Sequence, residues 1–207
     1  TRKGRGRMSE LYAESPLAHR EAPQGLSIEL REITDRGMID VRGHATDKKF
    51  MAAAKKVLGL DLPKAPRTSV SWGDVKALWL SIDQWLIICS RAKALELTAA
   101  LKAELGNIHS LVVDVSDMRA VLRLEGEGLR EVLLKGSSLD LLGEDYAPGT
   151  VRRMRYAEIA ALLHVVEETV FDVYVFRSYA DYAWDFILAT ARAPAKVTLF
   201  GAQATPK

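Results

Sequence analysis

The side chains in this chain that are best suited to metal binding are its four histidines and one cysteine. The histidines are His19, His44, His109 and His164, and no two of them lie close together in the sequence. Zinc sites need histidine, cysteine or carboxylate ligands at short, fixed spacings, and neither HExxH nor CxxC occurs here. The sequence therefore predicts no metal site, and His164, which lies in an apolar stretch, is expected to be a hydrogen-bonded core or edge residue.

The single cysteine, Cys89, ends the apolar run WLIIC at 85–89. Reactive cysteines usually need an exposed, electropositive setting, so a buried and inert thiol is expected. One cysteine cannot form an internal disulfide, which favours a reducing compartment, and the cytoplasm is the expected location.

Two glycine- or serine-containing turns are the nearest approach to a phosphate site or a nucleophile. Gly126-Glu127-Gly128 precedes a predicted helix, but it lacks the full GxGxxG pattern, and Glu127 would repel a phosphate. No GxSxG nucleophile motif occurs, and the segment 114–117 (DVSD) favours a turn, with a site as the alternative. We therefore expect no catalytic and no cofactor-binding residues in this chain.

The charge balance excludes other partner classes. Lys and Arg number 29 against 27 Asp and Glu, and the net charge of +2 is too small to indicate a nucleic-acid partner. The only basic cluster lies at residues 2–7 and is predicted to be a terminal tail, or to precede a start at Met8. No apolar segment follows it as in a secretory signal. No apolar stretch approaches the ~20 residues of a membrane span, so no membrane association is expected.

Hydrophobic periodicity predicts the order strand, strand, helix about four times. Alternation and apolar runs predict strands at 26–30, 39–41, 68–72, 77–81, 85–89, 111–115, 120–124, 159–166 and 170–176. Helices are predicted between Thr46 as N-cap and Gly59, before Gly106, before Gly136, and from Tyr179 to Thr190. Because this order is not a strict alternation of strand and helix, an α+β fold with mostly antiparallel or mixed sheets is expected.

Residues 1–25 are predicted to be a tail and an extended arm. Residues 26–207 are predicted to form one domain, either undivided or with two sub-lobes at about 26–109 and 110–207. On the last helix, Trp184 with Tyr179 and Tyr182 could pack in the core or extend into an interface, since both settings favour aromatic residues.

Several phrases resemble known families. The segments VVDVS (112–116), VLRLEG (121–126) and LDL (139–141) resemble the N-terminal domain of the folate-binding aminomethyltransferases. ESPL (14–17), SLDL (138–141) and FRSYA (176–180) followed by Trp184 are similar to the gamma-subunit family of heterotetrameric sarcosine oxidase.

The resemblance implies a subunit without a catalytic site. The family's complex oxidises sarcosine to glycine, reduces oxygen to hydrogen peroxide and passes the methyl carbon to tetrahydrofolate. Its alpha, beta and delta subunits would hold FAD, FMN, NAD, tetrahydrofolate and zinc, and this chain would bind none of them. The alpha subunit is the expected direct contact, through Ser15, Pro16, Leu17, Arg177 and Trp184.

Asp172 keeps open a link to folate chemistry. The resemblance to aminomethyltransferases implies a glycine-rich turn and an acidic pair near the hairpin at 162–172, where this chain has Glu167 and Glu168 but no glycine. Asp172 alternates with Phe171 and Val173, which predicts an outward-facing strand residue. The alternatives are a stand-alone folate-binding protein acting in one-carbon transfer or iron–sulfur cluster maintenance, and an interaction module with no enzyme partner.

Overall fold

Two antiparallel sheets, each covered by a pair of helices, make up the computed structural model, which describes residues 14–142, 145–195 and 197. The elements of the first half are β1 (Glu29–Glu32), β2 (Gly37–Arg42), α1 (Lys48–Leu58), β3 (Ser69–Trp72), β4 (Val75–Ser81), β5 (Gln84–Cys89) and α2 (Ala94–Leu105). Those of the second half are β6 (Leu111–Asp114), β7 (Arg119–Glu125), α3 (Leu129–Leu134), β8 (Val151–Tyr156), β9 (Ile159–Glu167), β10 (Val170–Phe176) and α4 (Ala180–Ala191). The predicted α+β class is confirmed.

The two halves repeat one topology and exchange their first strands. The strand order is β1-β7-β10-β9-β8 in one sheet, here sheet I, and β6-β2-β5-β4-β3 in the other, sheet II. Adding five to each strand number of sheet II, and wrapping β6 to β1, reproduces sheet I. The connections β1–β2 and β6–β7, here called crossings because each passes from one sheet to the other, also match. The Ile33 amide donates to the Val121 carbonyl at 2.9 Å, and the Val115 amide donates to the Met38 carbonyl at 2.8 Å. The sheets therefore do not follow a division of the chain at 109/110. Strand β1 precedes that point but belongs to sheet I, and β6 follows it but belongs to sheet II.

Strand alternation divides the core into three layers. On β5, Trp85 and Ile87 pack against α1 and α2, while Leu86 and Ile88 face sheet I. On β10, Val173 packs against α3 and α4, and Tyr174 packs between the sheets. Since successive side chains of a strand point to opposite faces, one buried strand supplies two apolar layers.

Some local predictions need correction. The N-cap of α1 is Asp47, not Thr46, because the Asp47 carboxylate accepts from the amides of Lys49 at 2.8 Å and Phe50 at 3.3 Å. The predicted end of α1 at Gly59 is confirmed, and its φ of 73° is the left-handed conformation that glycine adopts without strain. Strand β8 was not predicted, since three arginines (Arg152, Arg153, Arg155) obscure its alternation.

The last helix, α4, separates the three aromatic residues whose setting the sequence left open. Its buried residues are Ala180, Ala183, Trp184, Ile187 and Ala191, whereas Tyr179 and Tyr182 are exposed. Small residues on this face let the helix lie close to sheet I, and the tyrosines point to solvent.

Candidate functional site

The described part of the N-terminal arm folds back onto its own chain. Residues 16–19 form a turn rather than an extended segment, and the Leu17 amide donates to Ser15 Oγ at 3.0 Å. Leu17 is buried in the core of sheet I and its helices. Arg20 then donates to Asp181 at 2.8 Å and to Asp185 at 2.9 Å on α4. The arm is thus anchored by an apolar side chain and an exposed charge cluster.

Two of the residues expected at an interface are core residues. Leu17 and Trp184 are each only 3% exposed in the isolated chain, and both pack in the core of sheet I and its helices. That they contact a partner subunit stays a prediction.

Ser15, Pro16 and Arg177 do come together, at the rim of a cavity of about 170 Å³. The cavity lies where the β1–β2 and β6–β7 crossings pass each other. Ser15 donates to the Glu32 carboxylate, and Arg177 donates to the Glu14 carbonyl, so both residues tie the arm to this point. The prediction that they form an interface stays a prediction.

Two arginines of the same cavity have no anionic partner among the residues that the structure describes. Arg36 and Arg119 are half-buried, and within that part of the chain the Nε atom of each is buried without a hydrogen bond. The Arg119 guanidinium lies 4.7 Å from the Phe176 ring centroid. Burial lowers the pKa of Arg119, and the neighbouring Arg153 lowers it further. A half-buried cation without a counter-charge is unfavourable, so an anion placed here would be stabilised.

Asp172 is not the outward-facing residue that alternation predicted. It is 1% exposed and faces sheet II from β10. Arg123 on β7 donates Nε to Oδ1 at 2.6 Å and Nη2 to Oδ2 at 2.9 Å. This bidentate pair engages both carboxylate oxygens, and the hydrogen bonds to Asp172 raise the pKa of Arg123. The error arose because the face opposite the helices is covered by the second sheet.

His164 lies beside this pair and is held by one ring nitrogen. Its Nε2 is 3.1 Å from Ser69 Oγ, and that hydroxyl donates to the Gly149 carbonyl at 2.9 Å. Because the serine proton is already used, Nε2–H is the donor, and Nδ1 is buried without a partner among the described residues. Burial lowers the pKa of His164 to about 4, so the ring is neutral near pH 7. The expected hydrogen-bonded core histidine is confirmed.

A second opening between the sheets, of about 430 Å³, lies at the end where β2 and β10 finish, and we call it the inter-sheet cleft. Its lining is Asp40, Arg42, Leu80, Gln84, Met118, Arg119, Arg153, Ala160, Ala161, Leu162 and Phe176. Gln84 is buried; its amide donates to both Asp40 oxygens, at 3.0 and 2.9 Å, and its carbonyl accepts from Arg153 at 2.9 Å. Asp40 supplies the one carboxylate of this lining among the described residues. It is bound by Gln84 and lies 3.9 Å from Arg42 Nε, so three guanidinium groups share a single counter-charge.

The remaining chemistry-bearing residues have structural roles. The predicted burial of Cys89 is confirmed, and burial raises the pKa of its thiol to about 11, which favours an unreactive thiol. Ser116 joins its turn to β2 by accepting from the Met38 amide at 3.0 Å. Gly128 packs against Ser27, where an added methyl group would meet the Ser27 carbonyl at 3.0 Å. This close approach, not phosphate binding, accounts for glycine at 128.

The described residues contain neither a candidate metal site nor a membrane-spanning helix. In 14–142, 145–195 and 197, no group of three or more His, Cys, Asp and Glu side chains is placed to hold a metal ion. In the same part of the chain, no helix is long and apolar enough to cross a membrane.

Sequence reasoning missed Arg119, Arg123 and Arg153 as partners in the space between the sheets. Arg119 and Arg123 both lie on β7 and Arg153 is one of three arginines on β8, and a strand pattern alone does not say which face a second sheet covers. The only available signal was Arg123 within VLRLEG, a charged residue in a run otherwise typical of a buried strand.

Two sheets with exchanged first strands and outer helices define an aminomethyltransferase-like scaffold. Aminomethyltransferase T of the glycine cleavage system from Bartonella henselae superposes with a TM-score of 0.61 at 15% identity, covering 84% of this chain and 47% of that one. Heterotetrameric sarcosine oxidase from Corynebacterium sp. U-96, in complex with pyrrole 2-carboxylate, gives a TM-score of 0.80 at 23% identity, with coverage of 89% and 97%.

Sequence comparison then identifies the family. The profile of the sarcosine oxidase, gamma subunit family matches residues 42–193. The sarcosine oxidase subunit gamma of Corynebacterium sp. (strain P-1) is 33% identical over 140 residues, which cover 66% of this chain and 66% of that relative, just under two thirds of each. The chain belongs to the sarcosine oxidase gamma subunit family, as its resemblance implied.

Proposed function

We propose that this chain is the non-catalytic gamma subunit of a heterotetrameric sarcosine oxidase. That complex would oxidise sarcosine to glycine, reduce oxygen to hydrogen peroxide and pass the methyl carbon to tetrahydrofolate. The observation that carries the proposal is the family match over residues 42–193. This range includes helices α1 to α4 and every strand except β1 and most of β2.

The chain's own reactive side chains are buried or already paired, which supports a non-catalytic role. Cys89 is buried with a raised pKa, His164 is buried and neutral, and the Asp172 carboxylate is held on both oxygens by Arg123. A general base or nucleophile must be within reach of substrate and in the right protonation state. We therefore assign FAD, FMN, NAD, tetrahydrofolate and zinc to the other subunits.

The proposed partners are the alpha, beta and delta subunits, with the alpha subunit in direct contact. Neither nucleic acid nor a membrane is a proposed partner. We place the complex in the cytoplasm, since a single buried cysteine fits a reducing compartment.

A stand-alone folate-binding protein is not favoured. The aminomethyltransferase-like scaffold is present, but the one acidic residue that recommended this alternative, Asp172, is buried and neutralised. A carboxylate that is 1% exposed and whose charge is matched by a bidentate arginine is not accessible to a folate ligand.

The test is purification of the tagged chain from its native host. The eluate is scanned for flavin absorbance, analysed by mass spectrometry and assayed for peroxide with and without sarcosine. A yellow complex containing three further chains and producing peroxide only with sarcosine supports the proposal. A colourless chain that elutes alone at low salt and binds tetrahydrofolate would instead establish the folate-binding alternative.

A further inference from the structure

Because the two halves repeat one topology, the exchanged strands β1 and β6 occupy equivalent places and can be compared residue by residue. Leu30 on β1 pairs with Leu124, and Val112 on β6 pairs with Val41 in the equivalent register. Both Leu30 and Val112 are buried beneath the helices. The flanking residues of each strand therefore point to the opposite face, toward the mouth of the space between the sheets.

The flanking residues of the two strands differ in kind. On β1 they are Glu29 and Arg31, both exposed, and Arg31 donates to Glu125 at 2.8 Å. On β6 they are Leu111 and Val113, which are 46% and 40% exposed. Charged side chains are a common protection of an edge strand against unwanted pairing, and β6 lacks that protection where β1 has it.

The backbone of β6 is also open on one side. It is an edge strand of sheet II and pairs with β2, the only strand with which it forms a ladder in the described part of the chain. An edge of this kind can accept a further strand through main-chain hydrogen bonds, with alternate side chains supplying specificity.

The charges beside β6 select the kind of segment that would fit. Val113 lies opposite Asp40, and Leu111 lies opposite Arg42, so the inter-sheet cleft begins next to the two apolar side chains. Among the described residues, the cleft presents Arg42, Arg119 and Arg153 against the single carboxylate of Asp40, which Gln84 binds and which lies 3.9 Å from Arg42 Nε. The surplus is positive, so an acidic partner segment is complementary.

We propose that the β6 edge and the inter-sheet cleft receive an extended acidic segment of a partner subunit as an added strand. Alternate apolar side chains of that segment pack on Leu111 and Val113, and its carboxylates pair with Arg42 and Arg119. This inference rests on the proposed function, since it assumes a partner subunit, and it names the surface that the partner uses.

The chain itself supplies the variant for the test. Leu111→Glu with Val113→Arg places on β6 the charged residues that β1 carries at the equivalent positions, where they are compatible with the same fold. The matched control is Glu29→Gln with Arg31→Ala, which changes the β1 edge instead. A third variant, Arg42→Glu, reverses one exposed charge of the cleft. Thermal unfolding midpoints of the purified chains show which variants remain folded.

Each tagged variant is purified from the native host, and the flavin-containing partner is quantified per tagged chain by absorbance and mass spectrometry. We expect at least a tenfold loss of the partner with the double β6 variant and no loss with the β1 control. Arg42→Glu should cause a severalfold loss that shrinks as ionic strength rises, because salt screens exposed charges. Hydrogen exchange adds a readout on the wild type: amides of residues 111–114 should exchange more slowly in the complex than in the free chain.

The outcomes separate the two proposals. Equal partner recovery from all folded variants, with unchanged exchange at 111–114, overturns the docking surface and leaves the proposed function intact. A wild-type homodimer that the β6 variant abolishes also overturns it, because a second copy then occupies the edge. A wild-type chain that recovers no flavin-containing partner refutes the proposed function, and the docking surface falls with it.

Discussion

Removing the arginine of the buried Arg123–Asp172 pair should be the most damaging single charge change in this fold. The side chains of Arg123 and Asp172 are 15% and 2% exposed, and Arg123 supplies both hydrogen bonds to the carboxylate. Arg123→Met keeps the aliphatic stem but leaves the carboxylate buried and unpaired. Breaking a buried pair in this way costs about 3–5 kcal/mol, a large share of the roughly 5–15 kcal/mol that stabilises a typical domain.

The double variant Arg123→Met with Asp172→Leu distinguishes loss of the pair from damage to packing. Replacing both partners by apolar residues removes the unpaired charge, and such replacements are often neutral or stabilising. We therefore expect the double variant to regain most of the stability that the single variant loses. Urea unfolding of the dilute chain, followed by tryptophan fluorescence, gives the free energy of unfolding of each variant.

The exposed pair Arg31–Glu125 of the same sheet is the matched control. Its N–O distance is 2.8 Å, and its side chains are 53% and 30% exposed. Exposed pairs contribute at most about 1 kcal/mol, so Arg31→Ala should change stability little. If Arg123→Met cost no more than Arg31→Ala, then Asp172 would not be buried as a charge, and the account of this pair would be wrong.

Three other buried side chains give independent tests. The pKa of His164 is lowered from 6.5 to about 4, so between these values the unfolded chain binds more protons and acidification destabilises the fold, by up to about 3 kcal/mol; His164→Gln should flatten this part of the urea-derived stability curve, and equal slopes would contradict it. Cys89, with a pKa raised from 9.0 to about 11, should react with a disulfide reagent at pH 8 about a hundredfold more slowly in the native chain than in urea; rapid native labelling would refute its burial. Leu17→Ala should weaken arm packing by about 2–4 kcal/mol and speed tryptic cleavage after Arg20, whereas Leu95→Ala, at a position 74% exposed, should not.

Local pattern was enough to predict most strands and helices. The run at 85–89 and the alternation around the 170–176 strand reflect real burial, and Gly59 and Gly106 do end their helices. These signals are local, because side-chain periodicity and cap geometry depend on a few neighbouring residues. Strand β8 was not predicted, because arginines separate its buried positions.

The exchange of β1 and β6 could not be predicted from the same signals. Which strand lies beside β1 is decided by residues far away in the sequence, and β1 itself is only four residues long. The misassignment of Asp172 has the same origin, since its outward face is covered by a sheet that local alternation does not reveal. Trp184 was left open between core and interface, and burial against sheet I decided for the core.

The strand exchange delays the pairing of β1 during synthesis of the chain. Arg31 on β1 and its partner Glu125 on β7 are 94 residues apart, so β1 emerges from the ribosome long before the strand it pairs with. At about 5–20 residues per second, the wait is roughly 5 to 20 seconds. During that interval the apolar side of β1, with Leu30, has no sheet to join, and β2 has no β6 beside it. The chain must therefore extend to Asp114 before sheet II can close and to Phe176 before sheet I can, so apolar strand faces of the first half stay uncovered during that interval.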